Sequence, residues 1–209
     1  VNGDGFDDVI IGINDGSFVV FGKESGFNAT LDLSSLDGKN GFRINDGLST
    51  LDLFGLSVSN AGDINGDGFG DVIIGANLAD PNGISAAGSS YVVFGKASGF
   101  EATVDLSNLD SNGGFRLDGV ATFDASGASV SGAGDINNDG FDDLIVGARG
   151  ASANGIDDAG ASYVIFGRSD FGGGLPEILG TPGDNLLKGT SAAEHFKAGG
   201  GNDNLIGRG

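Results

Sequence analysis

The chain has no cysteine, no methionine and no tryptophan, and it carries a single histidine and three prolines among 209 residues. Without cysteine there is neither a disulfide framework nor a thiolate metal site, although bound metal can supply cross-links of its own. No apolar run approaches the roughly 20 residues that span a bilayer, and no secretory leader is visible, so membrane insertion is not expected. Basic residues are scarce: 10 Lys and Arg stand against 29 Asp and Glu, for a formal charge of −19. Nucleic-acid recognition needs a basic face, which this composition excludes. An initiating methionine is also missing, and the opening VNGDGFDD starts inside a motif. The expectation is therefore a segment of a longer protein.

What is present in quantity is glycine, 42 residues without a collagen period, separating short runs of Val, Ile, Leu and Phe. That texture predicts many turns between short strands. The segment DINGDGFGDVIIGA begins at Asp63 and returns as DINNDGFDDLIVGA at Asp135, 72 residues later; VNGDGFDDVIIGI at the N-terminus is a third copy without its leading residue. Each is followed by a second run, SFVVFGK, SYVVFGK or SYVIFGR. ATLDLSSLDGKNGFRI from Ala29 then matches ATVDLSNLDSNGGFRL from Ala102, while the third copy runs instead into FGGGLPEILG. Each unit thus offers four strands: FGLSVSNAG (54–62) or SGASVSGAG (126–134), the VIIGA run, the YVVFG run, and the GFRI or GFRL segment led in by TLDL or TVDL. Val72-Ile73-Ile74 is continuous rather than alternating, as in a strand covered on both faces. Four-stranded units repeated radially describe propeller blades; a sandwich or a β-solenoid is the alternative. The chain holds three strands of one blade, one whole blade and three strands of another. A ring of four to eight blades needs edges supplied by neighbouring blades or by other copies of the chain.

The linking loops have the form D-x-N-x-D-G-x-x-D. Hard cations take several oxygen ligands from a sharply turning loop. Asp63, Asn65, Asp67 and Asp71 occupy positions 1, 3, 5 and 9, with the Phe69 carbonyl at position 7 and Gly68 at position 6. Asp135, Asn137, Asp139, Asp143 and the Phe141 carbonyl repeat the set around Gly140, and Asn2, Asp4, Asp8 and the Phe6 carbonyl retain it around Gly5, without position 1. A tight hairpin turn would also use Asp, Asn and Gly. Three copies with alternate oxygen-bearing residues favour calcium, which also relieves the repulsion among three carboxylates on nine residues. An EF-hand needs Glu at position 12 and a following helix; here position 12 is Ile74 or Val146, inside a strand.

FGLSVSNAGDINGDGFGDVIIGA (54–76) resembles the FG-GAP repeat of integrin α-subunit β-propellers and their bacterial relatives. It has the Phe-Gly pair, the acidic loop and the closing Gly-Ala. The resemblance covers about residues 1–168 and implies a seven-bladed propeller with calcium in loops on one rim. Ser126-Gly127 departs from the Phe-Gly pair, and Asn77 and Arg149 stand where Pro usually follows Gly-Ala.

From Gly180 the sequence reads in nines, GTPGDNLLK, GTSAAEHFK, AGGGNDNLI, with Leu187, Phe196 and Leu205 at position 8. It resembles the calcium-binding nonapeptide β-roll of RTX proteins. That likeness implies Asp203 as a calcium ligand beside Gly199 and Gly201, and Leu205 facing a core. A flexible Gly-rich linker is the alternative. The fold class expected is all-β: a partial β-propeller of four-stranded blades over residues 1–175, followed by the start of a parallel β-roll over 176–209. His195 falls beside Phe196 and reads as a surface residue.

Catalysis has few candidates here. Glu24, Glu101 and Glu177 are scattered, and Asp32, Asp37, Asp105 and Asp110 recur in LDLSSLD and VDLSNLD as a repeated turn rather than a free carboxylate pair. The expectations are no enzyme within these residues, Ca2+ as the cofactor, and an extracellular or cell-surface location in a secreted bacterial protein. The module would serve adhesion to a protein or glycan, form a filament or surface layer from further copies of itself, or be the non-catalytic part of a large secreted enzyme.

Overall fold

The computed structural model describes residues 1–14, 16–45, 47, 52–152 and 156–171, together with the backbone of four three-residue strands between 177 and 206. Strands β1 (Val9–Ile13), β2 (Gly16–Val20) and β3 (Gly41–Asn45) form the first antiparallel meander. Strands β4 (Ser57–Gly62), β5 (Asp71–Ala76) and β6 (Ser89–Val93) lead the second, and β7 (Thr103–Asp105) precedes its last strand, β8 (Gly114–Asp118). The third comprises β9 (Ser126–Gly134), β10 (Asp143–Ala148) and β11 (Ala161–Ile165). The middle sheet, β4-β5-β6-β8, is the four-stranded antiparallel unit the repeat predicts.

One strand lies elsewhere than its sequence position suggests. β7 does not extend its own sheet. It pairs in parallel with β3 of the preceding one, Ile44 opposite Val104, so the first sheet runs β1-β2-β3-β7. Immediately after β7 the chain makes a 3-10 turn (Leu106–Asn108) capped by Asp105, whose Oδ1 accepts the Ser107 N–H at 2.9 Å. Asp32 caps the matching turn Leu33–Ser35 through Ser34. The expected repeated turn is present, but the stretch leading into it fastens one unit to the unit before.

The sheets stack face to face through two apolar clusters. Val19, Phe21, Phe42 and Ile44 of the first meet Phe54, Val72, Ile74, Tyr91 and Phe100 of the second. Ile73, Val92 and Phe94 of the second meet Val130, Leu144, Val146 and Ile165 of the third. β5 therefore packs both of its faces and is buried at all six residues, as its unbroken apolar run requires. An aromatic clamp repeats at each junction. Phe100 stacks on Phe42 with centroids 4.5 Å apart and planes 7° from parallel, and Phe171 stacks on Phe115 at 4.3 Å and 7°. Lys96 and Arg168 lie over these rings at 5.0 and 4.9 Å. Backbone approach is equally close. A Cβ on Gly75 would run into the Gly127 carbonyl of the next sheet, and a Cβ on Gly12 into that of Gly55. Gly55 and Gly127 sit at φ +86° and +82°, so the Gly of the Phe-Gly pair keeps its place even where Ser126 replaces the Phe.

In the C-terminal region β12 (Glu177–Leu179) pairs in parallel with β14 (His195–Lys197), and β13 (Leu186–Lys188) with β15 (Asn204–Ile206). Leu187 is in register with Leu205, two nonapeptides away. No helix among the described residues is long and apolar enough to cross a membrane.

Candidate metal centre

The three acidic loops fold alike because each short side chain captures backbone N–H groups ahead of it, as Asp and Asn do in turns. In the second loop Asp63 Oδ1 accepts the Asp67 N–H at 3.0 Å and its Oδ2 accepts Gly68 N–H at 2.9 Å. Asn65 Oδ1 accepts Asp67 N–H at 2.9 Å, and Asp67 Oδ1 accepts Phe69 N–H at 2.9 Å. The third loop repeats every bond: Asp135 to Asp139 and Gly140 at 3.1 and 2.9 Å, Asn137 to Asp139 at 2.9 Å, and Asp139 to Phe141 at 3.0 Å. In the first loop Asn2 and Asp4 take Asp4 and Phe6 N–H in the same way. Position 6 is left-handed in all three, at φ +88°, +90° and +94° for Gly5, Gly68 and Gly140. Positions 1, 3 and 5 thus lie on the inside of one coil, largely open to solvent at Asp4, Asp67 and Asp139.

Position 9 behaves differently. Asp71 and Asp143 are fully buried at the start of β5 and β10. Asp71 Oδ2 accepts Ile64 N–H at 3.0 Å and Oδ1 accepts Gly95 N–H at 2.8 Å; Asp143 takes Ile136 and Gly167, and Asp8 takes Val1 and Gly22. Each of these carboxylates ties its own loop to the end of the third strand of the same unit, a structural role the spacing alone does not reveal. Burial pushes the Asp71 carboxyl up to about 7; its two backbone hydrogen bonds pull the other way, and the charges of Asp67 and Asp63 add to the rise. Asp143 is raised for the same leading reason, loss of water around the charge.

Among the described residues, no three carboxylates are gathered closely enough to form a ready-made cation cage. The donor set itself is all oxygen: carboxylates at 63, 67 and 71, an amide at 65 and a main-chain carbonyl at 69. Each carboxylate oxygen here accepts one hydrogen bond and retains a second lone pair. Such a set fits a hard divalent cation and not a soft one. Asp203 lies outside the described residues.

Successive loops also touch. Asp63 N–H donates to Asp142 Oδ2 at 2.8 Å, and Asp142 N–H returns to the Asp63 carbonyl at 3.1 Å. Arg168 N–H donates to the Ile64 carbonyl at 2.8 Å, as Lys96 N–H does to Val1 at 3.0 Å. A Cβ built on Gly66 would lie 2.5 Å from Phe141 Cε1, and one on Gly3 2.5 Å from Phe69 Cε1, so the aromatic rings of the third and second loops each lie against the glycine at position 4 of the loop before.

Residues 54–93 and 126–165 each match the family model described as "FG-GAP repeat". These spans take in the second and third loops and the first three strands of their sheets. The chain is similar to integrin alpha-2 of Mus musculus, 34% identical over 97 residues, which is 46% of this chain and 8% of that protein. Integrin alpha-5 of Xenopus laevis is 28% identical over 169 residues, 79% of this chain and 14% of the relative. Phosphatidylinositol-glycan-specific phospholipase D of Bos taurus is 34% identical over 105 residues, 50% of this chain and 12% of that enzyme. The matched stretch thus spans about a tenth of each relative's own length.

Proposed function

We propose that this FG-GAP and integrin-α-like chain is a calcium-stabilised extracellular repeat module, its sheets being blades of a β-propeller, and that it serves adhesion to a protein or glycan partner. The observation that carries this is the threefold recurrence of one all-oxygen loop, folded the same way each time, in a chain of formal charge −19. Asp63, Asn65, Asp67, Asp71 and the Phe69 carbonyl would hold one ion, and Asp135, Asn137, Asp139, Asp143 and the Phe141 carbonyl a second. Asn2, Asp4, Asp8 and the Phe6 carbonyl are the corresponding set in the first loop. A bound Ca2+ would neutralise the crowded carboxylates and cross-link the loop. The chain's own part is to pre-turn the loop at Gly68 and Gly140 and to anchor it through the buried Asp71 and Asp143. Face-to-face stacking of two four-stranded sheets and a three-stranded one supports the propeller reading. Parallel pairing of strands two nonapeptides apart supports a β-roll at residues 176–209, with Asp203 as its expected ligand.

Extracellular modules bind calcium at about 10⁻⁴–10⁻³ M. Two sites held at ten to a hundred times that constant add roughly 3–5 kcal/mol. For a chain of this size we expect a rise in Tm on the order of 10 °C in 10 mM Ca2+ over chelator, read by calorimetry; an unchanged midpoint overturns the calcium reading. Glycan-array and cell-binding assays with calcium present test adhesion, and blank results on both would sink it.

A self-assembling surface layer or filament is favoured by a separate observation. Val9 and Phe27 at one end of the stack, and Ile136 and Val164 at the other, are exposed apolar residues, at 52%, 50%, 55% and 44%. Their counterparts inside the stack, Val72, Phe100, Ile64 and Val92, are buried against a neighbouring sheet. Light scattering that shows a calcium-dependent polymer would support this reading over adhesion.

A further inference from the structure

We propose that the second and third loops bind calcium cooperatively, with Asp142 as the residue that couples them; the proposal rests on the calcium reading above. Asp142 is not itself in the donor set. It stands between Phe141, whose carbonyl is at position 7 of the third loop, and Asp143, at position 9. Its carboxylate reaches across to the Asp63 N–H at 2.8 Å, and its own N–H bonds the Asp63 carbonyl at 3.1 Å, so the peptide groups on both sides of Asp63 are held from the neighbouring unit. Asp63 is position 1 of the second loop and aims both carboxylate oxygens at Asp67 and Gly68. The Phe141 ring against Gly66 and the Arg168 N–H on the Ile64 carbonyl, 2.8 Å away, bind the same pair of loops at two further points.

The physical consequence is shared ordering. A cation that fixes residues 141–143 fixes the partner that orients Asp63, so the second loop has less backbone freedom left to lose when it binds. The Asp142 carboxylate also places negative charge between the two loops, which offsets the repulsion of two divalent ions. Coupling of this kind is reciprocal: whatever the third loop does for the second, the second does for the third. The first junction is an internal comparison. There Gly70, which has no carboxylate, occupies the place of Asp142, while the Phe69 ring on Gly3 and the Lys96 N–H on the Val1 carbonyl are kept. Among the described residues, the carboxylate bridge is therefore specific to loops two and three.

The test is calorimetric titration of the whole chain with Ca2+, using the double substitution Asp135→Ala, Asp139→Ala to disable the third loop. We expect this to weaken the second loop about five- to tenfold, within the usual span of coupling between sites. In an Asp142→Ala background, disabling the third loop should weaken the second no further, and Asp142→Asn, which keeps one acceptor oxygen, should restore part of the coupling. Without metal, hydrogen exchange at the Asp63 amide should be faster in Asp142→Ala and slower again in Asp142→Asn. Equal loss at the second loop with and without the Asp142 carboxylate, in folded proteins that bind an ion at each of the two loops before the third is disabled, overturns the coupling and leaves the calcium reading standing. Absence of calcium binding at either loop overturns both.

Discussion

The middle sheet and its two neighbours are built from nearly the same words, yet they live in different surroundings. β5, DVIIGA, is buried at every residue; β1, VIIGI, is exposed or half-buried throughout; and β10, DLIVGA, is exposed at Ile145. Ile73 is 0% exposed and its counterpart Ile145 38%, because Ile73 lies under the third sheet and nothing among the described residues lies over Ile145. An unbroken apolar strand is thus a statement about what must lie on both sides of it, not about the strand alone.

That comparison can be broken by substitution. The largest effect is expected at the aromatic clamp. Phe100 is 8% exposed and stacked on Phe42, whereas its counterpart Phe27 is 50% exposed, with Lys23 over its ring. Phe100→Ala should cost about 3–5 kcal/mol in urea denaturation, and Phe27→Ala under about 0.5 kcal/mol, as for an exposed site. If a further blade or a second copy covers Phe27, the two costs converge, and that outcome would identify the covered state.

A smaller effect is expected from pH. The folded Asp71 carboxyl titrates near 7 against 3.8 for the free side chain, so between those values the folded state holds a proton that the unfolded state has lost. Stability of the calcium-free protein should therefore fall as pH rises from 5 to 8, seen as a declining Tm in chelator. Asp71→Asn should flatten the slope more than Asp143→Asn, since Asp143 is shifted in the same direction at the less covered sheet.

Smallest is the glycine pair. Gly75→Ala drives a methyl into the Gly127 carbonyl of the next sheet, and should cost about 1–3 kcal/mol as overpacking does. Gly147, the same position in β10, faces chiefly the Ser129 side chain. Gly147→Ala should cost less, by the same denaturation assay.

The period, the four strands of a unit and the acidic loops are legible in the sequence because each is a local pattern: a run, a turn residue, an alternation of oxygens. The destination of Thr103–Asp105 is not. TVDL looks the same whether it borders its own sheet or the one before, and only the stacking of Phe100 on Phe42 settles which. The loop's last aspartate is hidden for a related reason. Nothing in D-x-N-x-D-G-x-x-D distinguishes an exposed aspartate of the coil from a buried one whose two oxygens also accept the Ile64 and Gly95 N–H groups. Asp142 did leave a trace, since position 8 reads Asp, Gly, Asp across the three copies, but its partner is 79 residues away.

The strand that crosses from one unit to the sheet before it has a consequence for how such chains grow. The repeat in the sequence and the sheet in space are out of phase, so a 72-residue segment duplicated within a gene encodes a new sheet together with the strap that joins it to its predecessor. Lengthening the array then requires no newly evolved linker. Loss of a segment leaves the strap of the following unit to close over an older sheet of the same design.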